Sequence, residues 1–211
     1  MNDYRGAVGM GMRLLVFSDL HCDKARGSRL VEASRDVDVV IGAGDFASVH
    51  HGLQPTIDLL SAIDRPTIVV PGNNETLDDL RAACANWPSA VVLHGEGTRV
   101  GGVEFYGIGG GIPVTPFGDW SFDFSEEEAE QLLAGLKPES VLVSHSPPKG
   151  ILDVTSSGRS VGSSAVLAAI ERTSPRLVVC GHIHDSAGRR VEHGDTIVVN
   201  AGPEGIEITI N

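Results

Sequence analysis

The sequence predicts an α/β fold of two mixed β-sheets with helices on their outer faces. Apolar strands alternate with helical patterns through the first part of the chain, which is typical of parallel βαβ units. A hairpin follows near residue 100, and the chain ends in short strands suited to antiparallel pairing. The 211 residues are enough for one domain. We expect it to cover residues 13–211, after a flexible Gly-rich lead-in at residues 1–12.

The strands expected to form the centre of the fold are runs of β-branched or aliphatic residues. They are residues 14–17, 37–41, 67–70, 141–143 and 177–179. Continuous apolar runs of this length indicate strands that are buried on both faces. The shorter strands at the end of the chain are expected at residues 188–191, 196–199 and 206–210.

Helices are predicted over residues 53–63, 74–84, 125–136 and 163–172. In the first helix, Leu53 and Ile57 recur on one face. The second helix is expected to carry acidic residues in its first turn, beginning with Glu75, where they favour the helix dipole. Ser125 opens the third helix as a capping box. Residues 98–106 predict a hairpin with a Gly-Gly turn, and residues 107–123 predict a long functional loop.

Composition excludes several classes of protein. The net charge of −12 and pI near 5.0 make nucleic acid an unlikely partner, because nucleic-acid binders need a basic surface. No apolar run is long enough to span a bilayer, and residues 1–12 lack the apolar stretch of a signal peptide. Three widely separated cysteines favour a reducing cytoplasm over a disulfide framework.

Polar side chains follow each of the five buried strands. The segments are Asp19-Leu20-His21, Gly44-Asp45-Phe46, Gly72-Asn73-Asn74-Glu75, Ser144-His145-Ser146 and Gly181-His182-Ile183-His184. Open α/β sheets place their ligand crevices at the carboxyl ends of strands, so we expect these side chains to meet. Imidazole, carboxylate and amide oxygen together suit Mn, Fe, Zn or Ni. Each segment alone is explained equally well by turn chemistry or a solvated histidine, but their joint placement predicts a metal site.

Spacing predicts how these ligands reach an ion. Residues i and i+2 of a strand point to the same side, so Asp19 and His21 are expected to reach one ion together. His182 and His184 are expected to converge in the same way. Asp45 follows a strand and a small residue, so its carboxylate is placed to bridge two ions.

The ordered segments resemble the calcineurin-like metallophosphoesterases, whose pattern is D-x-H, GD, GNH-D/E, a central histidine and GHxH. The resemblance covers residues 14–202. It implies a four-layer αββα sandwich with a dinuclear metal centre. The central histidine, His145, is soon followed by Pro147-Pro148 and then Asp153, which is similar to the smaller phosphodiesterase branch of the family.

The resemblance also implies a ligand set and a reaction. The first ion is expected on Asp19, His21, Asp45 and His184, and the second on Asp45, Asn73, His145 and His182. Two divalent ions, with Mn or Fe favoured, would hold a hydroxide nucleophile and clamp the phosphoryl oxygens. On this resemblance Asn74, Asp45 and His145 are expected to be catalytic, and Asp45 and His145 are expected to be ligands as well.

One position departs from the family pattern, because Asn74 stands where the family has a histidine. An amide can donate a hydrogen bond to phosphate but cannot deliver a proton to a leaving group. We therefore expect a phosphodiesterase of a small substrate, for which cyclic nucleotides are candidates. The alternatives are a non-catalytic scaffold of this fold and a general phosphomonoesterase.

Substrate contacts are expected from Asn73, Asn74, His50 and Arg159. For His50 the alternative is a solvent-exposed position before the helix at residues 53–63. The aromatic residues at 120–124 are expected to pack on the protein's own sheet, with a homodimer contact as the alternative.

Overall fold

A computed structural model describes residues 11–211. The predicted lead-in falls almost entirely on residues 1–10, which lie outside the described part. Met12 is described, and it begins the first strand opposite Ile210. None of the helices within residues 11–211 is both long enough and apolar enough to cross a membrane.

The first sheet has five strands. These are β1 Met12–Phe17, β2 Val39–Gly42, β3 Thr67–Val69, β4 Ala90–Val92 and β11 Ile206–Ile210. Their order across the sheet is β11-β1-β2-β3-β4. β1 to β4 are parallel, and β11 pairs antiparallel with β1.

The second sheet has six strands. These are β5 Glu96–Val100, β6 Val103–Ile108, β7 Val141–Ser144, β8 Leu177–Cys180, β9 Arg190–His193 and β10 Thr196–Asn200. Their order across the sheet is β5-β6-β7-β8-β10-β9. The two edge pairs, β5 with β6 and β9 with β10, are antiparallel, and the inner pairs are parallel.

Within the described residues, five α-helices cover the outer faces. They are α1 Lys24–Ala33, α2 Leu53–Leu60, α3 Leu77–Ala83, α4 Glu126–Leu132 and α5 Ser164–Thr173. The Ser125 side chain accepts from the Glu128 amide and completes the expected capping box at α4. α1 was not predicted, because its mostly polar sequence buries only Gly27 and Leu30.

The two sheets pack face to face, as the four-layer prediction requires. Alternate residues of each strand divide between two environments. In β1, Leu14 belongs to the core between the sheets, whereas Leu15 faces α1 and α2. In β7, Val143 lies in the central core and Leu142 packs under α4 and α5. The predicted α/β sandwich, αββα with two mixed sheets, is confirmed.

The prediction for Glu75 was wrong. The helix at this point begins only at Leu77, after the Thr76 cap, so Glu75 is not in its first turn. Its side chain instead lies buried under the strand-end loops. Acidic residues at the start of a helical pattern predict the first turn of a helix. Glu75 instead accepts hydrogen bonds from a buried cluster of backbone N–H groups.

Candidate metal centre

The strand-end segments of both sheets meet at one edge of the sandwich. Within the first sheet, the Asp19 amide donates to the Gly44 carbonyl at 2.9 Å. Within the second, the Gly181 amide donates to the His145 carbonyl at 3.0 Å. The two sheets are joined where the His182 amide donates to the Asp19 carboxylate at 3.0 Å. Parallel strands end at the same edge, and this geometry brings the five segments together.

The outer group consists of Asp19, His21 and His184. One ligand atom from each lies within 4.8 Å of the others. The two histidine Nε2 atoms are 3.2 Å apart, and His184 Nε2 is 3.5 Å from the Asp19 carboxylate. Donors about 2.0–2.2 Å from a common ion lie at roughly this spacing, so the group fits a divalent metal.

The inner group consists of Asp45, His145 and His182, and Asn73 adjoins it. The Asn73 side-chain oxygen is 3.3 Å from His145 Nε2 and 3.1 Å from His182 Nδ1. Asp45, Asn73 and His145 are buried. Carboxylate, amide oxygen and two imidazoles form a donor set that suits a transition metal.

Asp45 lies between the two groups. Its Oδ1 is 3.5 Å from His145 Nε2 of the inner group. Its Oδ2 is 3.6 Å from His21 Nε2 of the outer group. One carboxylate therefore presents one oxygen to each group, which is the arrangement expected of a bridging ligand.

Backbone carbonyls fix the orientation of two imidazoles. His145 Nδ1 lies 2.8 Å from the Ala43 carbonyl, and His21 Nδ1 lies 3.0 Å from the Ala47 carbonyl. A proton on each Nδ1 would satisfy these carbonyls and leave Nε2 with its lone pair turned toward Asp45.

Asp19 and His21 lie in one group as expected, but the reason given for it, alternation along a strand, was wrong. Both residues follow the strand and have left-handed backbone conformations, with φ of 54° and 44°. His182 and His184 do not converge as one pair, since His182 joins the inner group and His184 the outer group. A positive φ at His182, 66°, turns the chain between them. Such conformations cost about 1–3 kcal/mol each and concentrate at functional sites.

Two glycines allow the loops to approach. A Cβ on Gly72 would lie 2.0 Å from the Asp45 Oδ1 atom, and one on Gly44 would lie 2.6 Å from His145 Nδ1. Gly44 also has a φ of 92°, which L side chains rarely adopt.

Glu75 ties two of the site loops together. Its Oε1 accepts from the amides of Gly72 at 2.7 Å and Asp45 at 2.8 Å, with a longer contact to Phe46 at 3.3 Å. Its Oε2 accepts from the Ala47 amide at 3.0 Å. Burial raises the pKa of Glu75 to about 7, and the nearby Asp45 carboxylate adds to the rise. The sequence signal for this role was the D/E position of the family pattern.

Asn74 contacts Asp45 rather than the open face of the site. Its side-chain amide donates to Asp45 Oδ2 at 2.8 Å, and its backbone N–H donates to Oδ1 at 2.9 Å. Its side-chain oxygen accepts from the Val49 amide at 2.9 Å. Asn74 therefore holds the Asp45 carboxylate in place.

Burial and nearby charges shift the pKa values of two histidines of the site in opposite directions. Burial and the neighbouring His145 lower the pKa of His182 to about 4, so this imidazole is neutral at neutral pH. The Asp19 carboxylate raises the pKa of His184. Burial alone would raise the pKa of Asp19, but contacts with His184, His145 and Ser18 lower it to about 2.

The other expected substrate contacts lie at the periphery. His50 Nε2 is 2.6 Å from the Trp120 carbonyl, so this ring contacts the loop before α4. Arg159 donates to Ser157 within its own loop at 3.3 Å. That loop reaches the site rim where the Ser156 amide donates to Asp185, next to His184, at 2.8 Å.

The outer group opens into a cleft of about 340 Å³. Arg26 lines its far wall. Its guanidinium is already paired with Asp23 at 3.1 Å and Glu204 at 2.7 Å. The cleft therefore gives access to the outer group.

Comparison with known families identifies the superfamily to which this chain belongs. The family model of the calcineurin-like phosphoesterase superfamily domain matches residues 12–208. The chain belongs to this superfamily. The superfamily is metal-dependent, which is consistent with the two groups of potential metal ligands.

Part of this chain is similar in sequence to curated proteins. Human metallophosphoesterase domain-containing protein 1 is 34% identical over 136 residues, which cover 62% of this chain and 38% of that protein. A Caenorhabditis elegans protein of the UPF0046 group is 32% identical over 117 residues, covering 54% of this chain and 38% of its own. The matches therefore span well under half the length of these relatives.

Solved structures share the fold. A Thermus thermophilus protein, TT1561, has a TM-score of 0.76 at 21% identity, covering 92% of this chain and 91% of its own. The phosphopantetheinyl hydrolase of Mycobacterium tuberculosis has a TM-score of 0.59 at 19% identity, covering 92% and 90%. An archaeal phosphodiesterase has a TM-score of 0.55 at 16% identity, covering 94% and 100%.

Proposed function

We propose that this protein is a dinuclear metal-dependent phosphodiesterase of a small substrate. The observation that carries the proposal is the position of Asp45, whose two oxygens lie 3.5 Å and 3.6 Å from histidines of different groups. A carboxylate held in this way suits two ions better than one.

The proposed ligands divide into two sets that share Asp45. One set is Asp19, His21, Asp45 and His184, and the other is Asp45, Asn73, His145 and His182. When bound, two divalent ions would activate a water molecule and offset charge on the phosphoryl oxygens. The chain's own contribution is to orient His145 and His21 through backbone carbonyls and Asp45 through Asn74.

The preference for diesters takes its support from Asn74, which stands where the superfamily pattern has a histidine. No proton donor stands at this position, because an amide does not titrate and its N–H groups already contact Asp45. Loss of a general acid typically costs about 10²–10⁴-fold with poor leaving groups. The archaeal phosphodiesterase of the same fold also lends support.

The test compares 4-nitrophenyl phosphate with bis(4-nitrophenyl) phosphate after loading with Mn²⁺, Fe²⁺, Zn²⁺ or Ni²⁺. We expect about two ions per chain by elemental analysis and faster hydrolysis of the diester. A large preference for the monoester would favour a general phosphomonoesterase. A chain that binds no metal at micromolar concentration would instead be a scaffold of this fold.

A further inference from the structure

An exposed apolar surface borders the candidate metal centre. It consists of Val49, Val114, Phe117 and Trp120, and we call it the apolar rim. Val49, Val114 and Phe117 are 43%, 63% and 50% exposed, and they make up three of the six large apolar side chains exposed within residues 11–211. The Phe117 and Trp120 rings stack at 5.7 Å with an interplanar angle of 15°.

The loop that carries Phe117 and Trp120 is joined to the candidate metal centre by hydrogen bonds of neighbouring residues. The Asn73 side-chain amide donates to Ser121 Oγ at 2.9 Å, and the Phe122 amide donates to the Asn73 carbonyl at 3.0 Å. Trp120 directly precedes Ser121, so its Cα lies one step of about 3.8 Å from a residue in contact with a proposed ligand. On the other side, Val49 donates its amide to Asn74.

The loop that carries Phe117 and Trp120 is internally fixed. Asp123 accepts from the Thr115 amide at 2.8 Å, the Thr115 hydroxyl at 2.6 Å and the Ser121 hydroxyl at 2.7 Å. His50 Nε2 contacts the Trp120 carbonyl at 2.6 Å. A tethered loop presents its aromatic rings in a defined position at little entropic cost on binding.

We infer that the apolar rim binds the organic group of the phosphoester and that this group has a planar aromatic face. The inference rests on the proposed function. Exposed aromatic rings next to a phosphoester site suit stacking with a ring on the substrate. The cleft beside His184 is a weaker candidate for this role, because its lining residues include no Phe, Tyr or Trp.

The test uses two diesters with the same leaving group, thymidine 5′-(4-nitrophenyl phosphate) and methyl 4-nitrophenyl phosphate. In both, water adds its oxygen to phosphorus and the bond to 4-nitrophenolate breaks, so only the retained alcohol differs. We expect a KM about tenfold lower for the thymidine ester, as expected for one stacked base. Phe117→Ala should bring the ratio of the two KM values close to one, whereas a contact of the 4-nitrophenyl group, which both esters carry, would change both KM values alike.

Two control variants distinguish the loss of ring stacking from effects that any surface substitution could have on KM. Phe117→Leu keeps an apolar side chain and should restore only part of the difference. Val191→Ala, at a 38% exposed residue of edge strand β9, should leave both KM values unchanged.

A binding measurement gives a readout that does not depend on turnover. Trp87 is buried at 2% exposure, whereas Trp120 is half-buried, so a ligand on the rim should change the Trp120 fluorescence. Thymidine 5′-monophosphate should quench the metal-loaded protein and inorganic phosphate should not. Trp120→Phe should abolish the signal.

The outcomes are distinct for the two proposals. Hydrolysis of both esters with equal KM and no effect of Phe117→Ala would overturn the inference and leave the proposed function standing. Hydrolysis of neither ester would overturn the proposed function, and the fluorescence titration would then decide the inference alone. A concentration-dependent dimer that Phe117→Ala dissociates would show a subunit contact and overturn the inference.

Discussion

The inner and outer ligand groups use similar side chains but differ in burial and in support. In the inner group, Asp45 and His145 are 2% and 0% exposed. In the outer group, the side chain of His184 is 63% exposed and lines the cleft. The inner group is therefore arranged by the fold itself, whereas the outer group is completed at the surface. We expect the inner ion to bind more tightly and the outer ion to exchange.

Asp45→Asn should have the largest effect, because it weakens both groups at once. Loss of several kcal/mol of charge stabilisation corresponds to a decrease in kcat/KM of about 10³-fold. The measurement is diester hydrolysis together with metal content by elemental analysis. Asp64→Asn, at a side chain that is 88% exposed in the loop before β3, serves as the control and should retain both ions. An Asp45→Asn variant that keeps two tightly bound ions would contradict the bridging role.

The variants His145→Ala and His184→Ala should distinguish the inner group from the outer group by their effects on stability and metal content. His145 is fully buried, so its removal leaves a cavity and an unsatisfied Ala43 carbonyl, and should reduce the free energy of unfolding by about 2–4 kcal/mol. His184→Ala should change that free energy by less than about 0.5 kcal/mol while one of two ions is lost. Denaturant unfolding and elemental analysis provide the two readouts. If the two variants lost the same free energy of unfolding, the proposed difference between a buried inner group and an exposed outer group would be contradicted.

Glu75→Gln should show how the protein supports the inner group. The substitution replaces an oxygen that accepts backbone N–H groups with an NH₂ that cannot, so Asp45 loses its fixed position. We expect metal affinity and kcat/KM to fall about 10–100-fold, as for other residues that orient metal ligands. Metal titration by calorimetry checks the affinity directly.

Glu126→Gln is the matched control for Glu75→Gln. Its carboxylate accepts from Ser163 Oγ at 2.7 Å and from the Ser164 and Ala165 amides at 2.9 and 2.8 Å, away from the metal centre. It should lower stability without changing metal affinity. Parallel effects of the two substitutions on metal affinity would refute a specific role for Glu75.

The pH dependence of metal binding should be the smallest effect and should differ between the groups. The pKa of His184 is raised by Asp19, so before an ion binds the proton stabilises the fold at low pH and is lost as pH rises through that raised pKa. A metal must displace this proton, and outer-group affinity should therefore fall as pH decreases. His182, with a pKa of about 4, needs no such displacement near neutrality.

Metal titrations at pH 8 and pH 6 test this difference. The weaker of two binding steps should lose affinity at the lower pH more than the tighter one. His145 of the inner group also has a pKa raised by Asp45 and Asp19 despite its burial, which reduces the contrast between the groups. Loss of the tighter step first would contradict the assignment.

Much of the fold was predictable because its signals are local. The runs at residues 14–17, 141–143 and 177–179 became β1, β7 and β8 with their ends extended by one or two residues. The face formed by Leu53 and Ile57 is buried in α2 as expected. α1 was missed, since a helix that buries few residues leaves little apolar periodicity to detect.

The sequence by itself determined the ligand chemistry and its place at the strand ends, because residue type and strand pattern are local properties. The family resemblance already assigned His182 and His184 to different ions and Asp45 to both. Only the tertiary structure gave their positions, with one oxygen of Asp45 near each group. Those positions depend on left-handed backbone turns and on hydrogen bonds between distant segments, such as those of Glu75 with the loop of Asp45. Such contacts form only when the two sheets have packed, so no local pattern encodes them.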